Sequence, residues 1–465
     1  MKFTKFGKAL LMSALSAGVV LSFTSCVQSY TVGFLYVTGT VTAQSGNNGI
    51  VSGFKIDHNT GKLAPINGMP IASGGANPVR AVLLTGSRFL YVLNRGVNAA
   101  GNGDCTTADP CLNASITQFS VGGNGILTQQ ETFYTQGLNP FRIIADPTGG
   151  LLYVLDHDSI GADGKTPATP ANPNPGCALA LGTNVTACGD ITVFLVNQTT
   201  GWLQLVVNAQ VTSSSGAALP YFPVPVNPVD FVETGGYIIT LNGANQPAGY
   251  PYTGGSSVFP YTLNEASGQL TINQNSSQSL GIAGGTALVA GSGTIYVLDN
   301  EPVTVGSGSP SFPPGSYPSQ ILPYSPGTNG ALQPEPGGIV PDASTLANPI
   351  YLLVESKGKF IYVLNQGNNV QGANAQSGIA GYFLTTVPTY QLSFIDGQPF
   401  GSGAGPQCLV EDPSDQFVYS ADIDDSSISG RVVDPNSGVL NNLRVATSYP
   451  LQGPATWCLI DGRTS

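Results

Sequence analysis

Arginine and aspartate recur at one place in a repeated strand of this 465-residue chain. Five stretches open alike: NPVRAVLL (77–84), NPFRIIAD (139–146), NPVDFVET (227–234), NPIYLLVE (348–355) and GPQCLVED (405–412). Two places after each proline stand Arg80, Arg142, Asp230, Tyr351 and Cys408, and two further strands add Gly285 and Thr456 at the corresponding places. Two guanidiniums beside one carboxylate can hold a carboxylate or another anion through charge-assisted, bidentate hydrogen bonds. The same side chains can instead close on one another as structural ion pairs that seal a channel. Acid–base chemistry near neutral pH calls for histidine, and the chain has only two. His58 lies in the turn DHNTG, where a solvated side chain is expected. His157 follows LLYVLD and is expected at the start of a long loop, solvated unless it reaches the arginines. A hydrolytic site would use His157, Arg142 and Asp230. A binding site would use Arg80, Arg142, Asp230 and Tyr351, with Arg95 above them.

Metal chemistry finds little support. DHDSIGADG (156–164) and DIDDSSISG (422–430) place Asp at alternating positions, as calcium loops do, but lack the full ligand spacing and the terminal Glu. The seven cysteines show no C-x-x-C spacing and no nearby histidine partner. No cofactor is therefore expected, with calcium at the two Asp-rich loops the lesser alternative. With Cys26 set aside, six cysteines remain: Cys105 lies near Cys111, Cys177 near Cys188, and Cys408 and Cys458 form the third pair. Such pairs are oxidised in proteins outside the cytosol.

The elements that must position these residues repeat along the chain. RFLYVLNRG (88–96), GLLYVLDHD (150–158), TIYVLDNEP (294–302), KFIYVLNQG (359–367) and QFVYSADID (416–424) are versions of one strand. An apolar run without alternation suits a strand covered on both faces. Each is preceded by a short apolar strand, often opened by Asn-Pro, and followed by a variable loop and an alternating strand such as SITQFSV (115–121). A turn of the type TGKL (60–63), NGIL (124–127), TGWL (200–203) or SGVL (437–440) leads to a fourth strand. Tyr36, Tyr91, Tyr153, Ile239, Tyr296, Tyr362 and Tyr419 mark seven such units, which predicts an all-β, seven-bladed propeller of four-stranded antiparallel blades. FLYVTGT (34–40) lacks a first strand before it, and QGPATWCLIDG (452–462) is a first strand without followers. The C-terminal strand is thus expected to complete the N-terminal blade and close the ring. The long loops, 95–114, 157–189, 243–256, 300–319 and 367–378, all fall on the face where the first strands begin.

The N-terminus reads as a leader. Lys2, Lys5 and Lys8 precede an apolar run from Ala9 to Phe23, too short for a bilayer span of about 20 residues. Phe23-Thr24-Ser25-Cys26 resembles the lipobox of bacterial lipoproteins, although that motif usually begins with Leu. The resemblance implies a signal peptide over 1–25, lipidation of Cys26, a tether over 26–33 and a propeller over 34–465 at the cell envelope. Plain secretion is the alternative. The net charge of −11, more negative once the leader lysines are gone, speaks against nucleic acid and leaves the lipid anchor as the expected membrane contact.

The Tyr-Val-Leu-Asn/Asp strands, the Asn-Pro strands and the Thr-Gly-x-Leu turns together resemble the lactonase-type seven-bladed propellers, the 6-phosphogluconolactonase-like proteins and their YVTN-repeat relatives. The resemblance spans residues 34–465. Trp-Asp repeat endings and the sialidase box are absent. Enzymes of the family carry His, Arg and a carboxylate at the channel mouth, and the paired-histidine stretch has no counterpart here. The expected function is therefore a binding scaffold for an acidic small molecule, a glycan or an envelope protein. An exported lactone hydrolase is the alternative.

Overall fold

The computed structural model describes residues 30–41, 48–85, 88–212, 216–244, 254–273, 277–309, 311–367, 377–385 and 390–462. Residues 1–25, expected from the sequence to be a signal peptide, and Cys26 lie outside them, as do parts of the loops 243–256 and 367–378.

Seven antiparallel blades surround a central channel. In the second blade Pro78–Leu83 is innermost, followed outward by Phe89–Asn94, Ser115–Val121 and Leu127–Phe133. The first blade takes its innermost strand, Ala455–Asp461, from the C-terminus, and this pairs with Thr31–Thr40. Each innermost strand touches the next around the axis, so the ring is closed. A disulfide between Cys408 and Cys458, with Cα atoms 5.7 Å apart, ties the closing strand to the seventh blade. Its 50-residue separation corresponds to about 4 kcal/mol of loop-closure entropy on the chain-entropy account.

The repeated strand is buried on both faces, as its uninterrupted apolar run requires. Leu90, Tyr91, Val92 and Leu93 are fully inaccessible to solvent, and so are Ile361 to Leu364. Asn-Pro has an equally local cause. Asn77, Asn139, Asn227 and Asn348 adopt left-handed backbone conformations, with φ between 50° and 59°, and Gly405 takes the same role before Pro406. Asparagine and glycine are the residues that tolerate this region, and the following proline fixes the start of the strand.

Blades grip one another through the repeat. Tyr36 Oη donates to the Gly125 carbonyl of the next blade (2.8 Å), Tyr91 to Gly201, Tyr362 to Gly438 (2.8 Å) and Tyr419 to Gly61 (2.7 Å). The last of these links the seventh blade to the first. Two residues before each tyrosine stands Phe34, Phe89, Phe360 or Phe417, and its ring lies against the same glycine. At Gly61 and Gly438, a Cβ would meet that ring at 2.5 Å, and both residues have positive φ. The residue two places before Tyr153 is Leu151 instead of Phe, and the Tyr153 hydroxyl has no hydrogen-bond partner among the described residues. Tyr296 accepts a hydrogen bond from Tyr390 Oη (2.9 Å).

Tyr419→Phe should therefore cost about 1–2 kcal/mol by leaving the Gly61 carbonyl unpaired. Gly61→Ala should cost more, since it adds backbone strain and a clash with Phe417. Urea denaturation of the two variants checks the order. Equal stability of Gly61→Ala and the parent protein would dispose of the clamp.

Candidate functional site

Register defines the ring that lines the channel waist. Each innermost strand carries an irregularity near its start, so that pairing skips one residue: Pro78 faces Asn94, while Arg80 faces Leu93. The same pattern aligns Arg142, Asp230, Tyr351 and Cys408. In the fifth blade it selects Ala287, opposite Leu298, and on the closing strand it selects Trp457, opposite Thr38. Gly285 and Thr456 are therefore not members of the ring, contrary to the sequence expectation. These two strands lack the Asn-Pro opening from which the count was made. Gly285 sits where the other strands have proline, and Thr456 is the skipped residue, its Oγ1 2.9 Å from Thr38 Oγ1.

The two arginines have different partners. Arg142 Nε donates to Asp230 Oδ1 (3.0 Å), and its NH1 group donates to the Phe141 carbonyl (3.2 Å). Asp230 also accepts from the Phe231 amide (3.0 Å) and, through Oδ2, from the Leu288 amide (3.2 Å). Its charge is thus engaged by three donors. Arg80 instead stacks on Trp457, with the guanidinium carbon 3.9 Å from the ring centroid. Tyr351 meets the same indole edge-on, at 5.4 Å between centroids. Among the described residues Arg80 makes no hydrogen bond or ion pair. Burial, then the Arg142 cation, pushes its guanidinium down to about 9, so it remains cationic at neutral pH.

This layer separates two cavities. The upper one, about 440 Å³, opens among the long loops and is lined by Arg80, Arg95, Arg142, His157, Gln407 and Trp457. The lower one, about 370 Å³, opens on the opposite face. Arg80 and Trp457 line both; Asp230 and Tyr351 line only the lower. The sequence-derived set is therefore divided, with His157 and Arg142 sharing the upper cavity and Asp230 below it.

His157 is not the first residue of a loop. Its strand runs over Leu151–Asp158, because Asp158 still pairs with Leu138. His157 Nδ1 lies 3.1 Å from Asp158 Oδ2, and its ring meets Phe141 edge-on. Asp158 also accepts from Asn139 Nδ2 (2.6 Å) and Thr107 Oγ1 (2.8 Å). Burial works to raise the Asp158 carboxyl, but the hydrogen bonds from His157, Asn139 and Thr107 outweigh it and hold the group below its usual range. A histidine fixed by a carboxylate can serve as base or as hydrogen-bond donor. Asp158 and Trp457 are the site residues that sequence reasoning missed; the adjacent His-Asp in DHD was a visible sign of the first.

Arg95 donates to the Gly103 and Cys105 carbonyls (3.5 and 3.4 Å), bracing the loop stapled by Cys105–Cys111. Its buried Nε has no partner among the described residues, and burial lowers its pKa. Cys177–Cys188 staples the 157–189 loop around the helix Pro175–Leu181. His58 is half-buried and stacks on Tyr30 at 4.4 Å, in the turn that follows the strand Gly49–Asp57, away from the channel. No described group of three or more His, Cys, Asp or Glu could hold a metal ion.

Beneath the 157–189 loop, Asp156 and Asp190 face each other across paired strands, both fully buried. Burial pushes Asp156 up to about 7, and burial with the neighbouring Asp156 raises Asp190 well above the carboxylate range. An acid raised in the folded state keeps its proton where the unfolded chain has lost it. Stability from this pair is therefore intact below about pH 4 and falls as pH climbs toward 7. Asp190→Asn should shrink that fall and raise the urea midpoint at pH 7.5 more than at pH 4.5. The same increment at both pH values would refute it.

The comparisons agree with this architecture. Residues 33–162 match the family model described as "Lactonase, 7-bladed beta-propeller". A periplasmic gluconolactonase of Pseudomonas aeruginosa superimposes with a TM-score of 0.59 at 16% identity, covering 92% of this chain and 99% of its own. A Bacteroides fragilis protein provisionally described as a 6-phosphogluconolactonase gives 0.59 at 14%, covering 92% and 98%. A Lactobacillus plantarum protein gives 0.54 at 16%, covering 92% and 99%. At such identities the likeness concerns the fold. No curated protein matches the sequence.

Proposed function

We propose that this lactonase-like propeller is a binding protein of the cell envelope whose upper cavity takes an acidic small molecule or the acidic end of a glycan. The carrying observation is Arg80. A guanidinium stacked on Trp457 and without an ion-pair partner among the described residues supplies a preformed cationic surface for a carboxylate. Arg142 adds positive charge only in part, because Asp230 already balances it. Arg95, at the start of a stapled loop, and His157, near the end of its strand, stand above at the mouth that the stapled loops frame.

One observation favours a second reading, exported lactone hydrolysis. His157 is held by Asp158 in the cavity that also contains the arginines, so a base and a cation for a carbonyl oxygen share one space. The named gluconolactonase similarity supports this reading at the level of fold.

The mature protein should bind galacturonate in calorimetry, and Arg80→Met should weaken that binding at least tenfold. A panel of γ- and δ-lactones should show little or no turnover. Robust turnover abolished by His157→Ala would overturn the binding reading, and unchanged galacturonate affinity in Arg80→Met would remove the site.

The envelope location rests on the leader, the Thr-Ser-Cys sequence and the disulfides, which suit an oxidising compartment. Cys26→Ser should shift the protein from the membrane to the soluble fraction after export. Equal membrane retention would argue against lipidation.

A further inference from the structure

The lower cavity is not a continuation of the upper one, since the Arg142–Asp230 pair and the Arg80–Trp457 stack stand between them. Its walls are the lower halves of innermost strands, with Val82, Leu83, Ile144, Val232 and Val289 giving an apolar sleeve. Two charged side chains in it lack partners among the described residues. Arg80 forms its floor, and Glu233 lines it closer to the outer opening. The other carboxylates are engaged. Asp230 is bonded to Arg142 and two amides, and Asp146 accepts from Leu151 N and from Thr148 N and Oγ1. Glu233 stands three residues beyond the ring level on its strand, which places its backbone about 10 Å below Arg80 along the axis.

We infer that this funnel is a second binding site, for a linear zwitterion whose carboxylate meets Arg80 and whose ammonium meets Glu233, joined by an apolar spacer. The ligand class follows from what each part lacks. The guanidinium lacks an anion, Glu233 lacks a cation, and the sleeve between them offers no polar side chain to a central polar group. A simple fatty acid would leave Glu233 unpaired, and a simple amine would leave Arg80 unpaired. In each case a charge in a desolvated place would go without compensation. Burial, with Asp146 and Glu265 nearby, already pushes Glu233 up to about 7, and no cation among the described residues pairs with it. Straight-chain ω-amino acids have this chemistry.

The test uses 8-aminooctanoate, whose ends span that distance when extended, with octanoate and octylamine as controls. Calorimetry on the mature protein should show 8-aminooctanoate binding at least tenfold more tightly than either control. Glu233→Gln should reduce it to the level of octanoate. Ala290→Trp, at an exposed position on the funnel wall, should abolish binding while the fold is retained. His157→Ala, which lines only the upper cavity, should leave the affinity unchanged. Equal affinity for octanoate, absence of 8-aminooctanoate binding, or full affinity in Glu233→Gln and Ala290→Trp would overturn the inference. Because Arg80 borders both cavities, the two ligands should compete for it; galacturonate affinity that is unchanged in Glu233→Gln and Ala290→Trp, two positions that line the lower cavity and not the upper, separates failure of this inference from failure of the upper-cavity reading.

Discussion

Everything in this molecule hangs on a glycine carbonyl held between a phenylalanine face and a tyrosine hydroxyl. In four blades the Phe-x-Tyr triplet reaches the turn of the following blade and leaves room for no side chain there. Much of the remaining contact between blades is non-directional apolar packing, which tolerates sliding. A directional bond at a buried point sets the angle between neighbours. Seven such angles must close a circle, so small errors in each would accumulate at the joint between the first and seventh blades. That joint carries both a Tyr419–Gly61 clamp and the Cys408–Cys458 bond.

A closed ring brings seven innermost strands into register, and this is what turns an unremarkable set of polar residues into a site. Arg80, Arg142, Asp230, Tyr351 and Trp457 are distant in sequence but occupy one level of the channel. The level is asymmetric. On one side charge is neutralised inside the chain; on the other a cation rests on an aromatic face. Desolvation makes the difference consequential, since an unpaired guanidinium in a narrow channel is costly in a way that a surface arginine is not.

Much of this was legible in the sequence because it repeats. Seven copies of one strand define periodicity, blade number and ring closure, and each copy supports the others. Asn-Pro located the innermost strands because left-handed asparagine and fixed proline are backbone requirements. The ring failed at Gly285 and Thr456, where that marker is missing and the skipped residue could not be counted. Trp457 went unnoticed for the same reason. Asp158 was missed because strand length depends on pairing with Leu138, a contact that no local pattern announces. The separation of the site into two cavities depends on which partner each arginine chooses. That choice is decided by three-dimensional proximity and by the competing amide donors on Asp230.

The shared blade has one more consequence, concerning polarity. Thr31–Thr40 leaves from the face opposite the long loops, and Ala455–Asp461 ends there, with Phe34 paired to Asp461. Whatever precedes Tyr30 therefore attaches to the same side as the lower funnel. If residue 26 carries a lipid, the propeller stands on the bilayer with its stapled loops pointing away and the funnel facing the headgroups. The two openings would then sample different surroundings: one the open aqueous space, the other a thin layer beside the membrane surface.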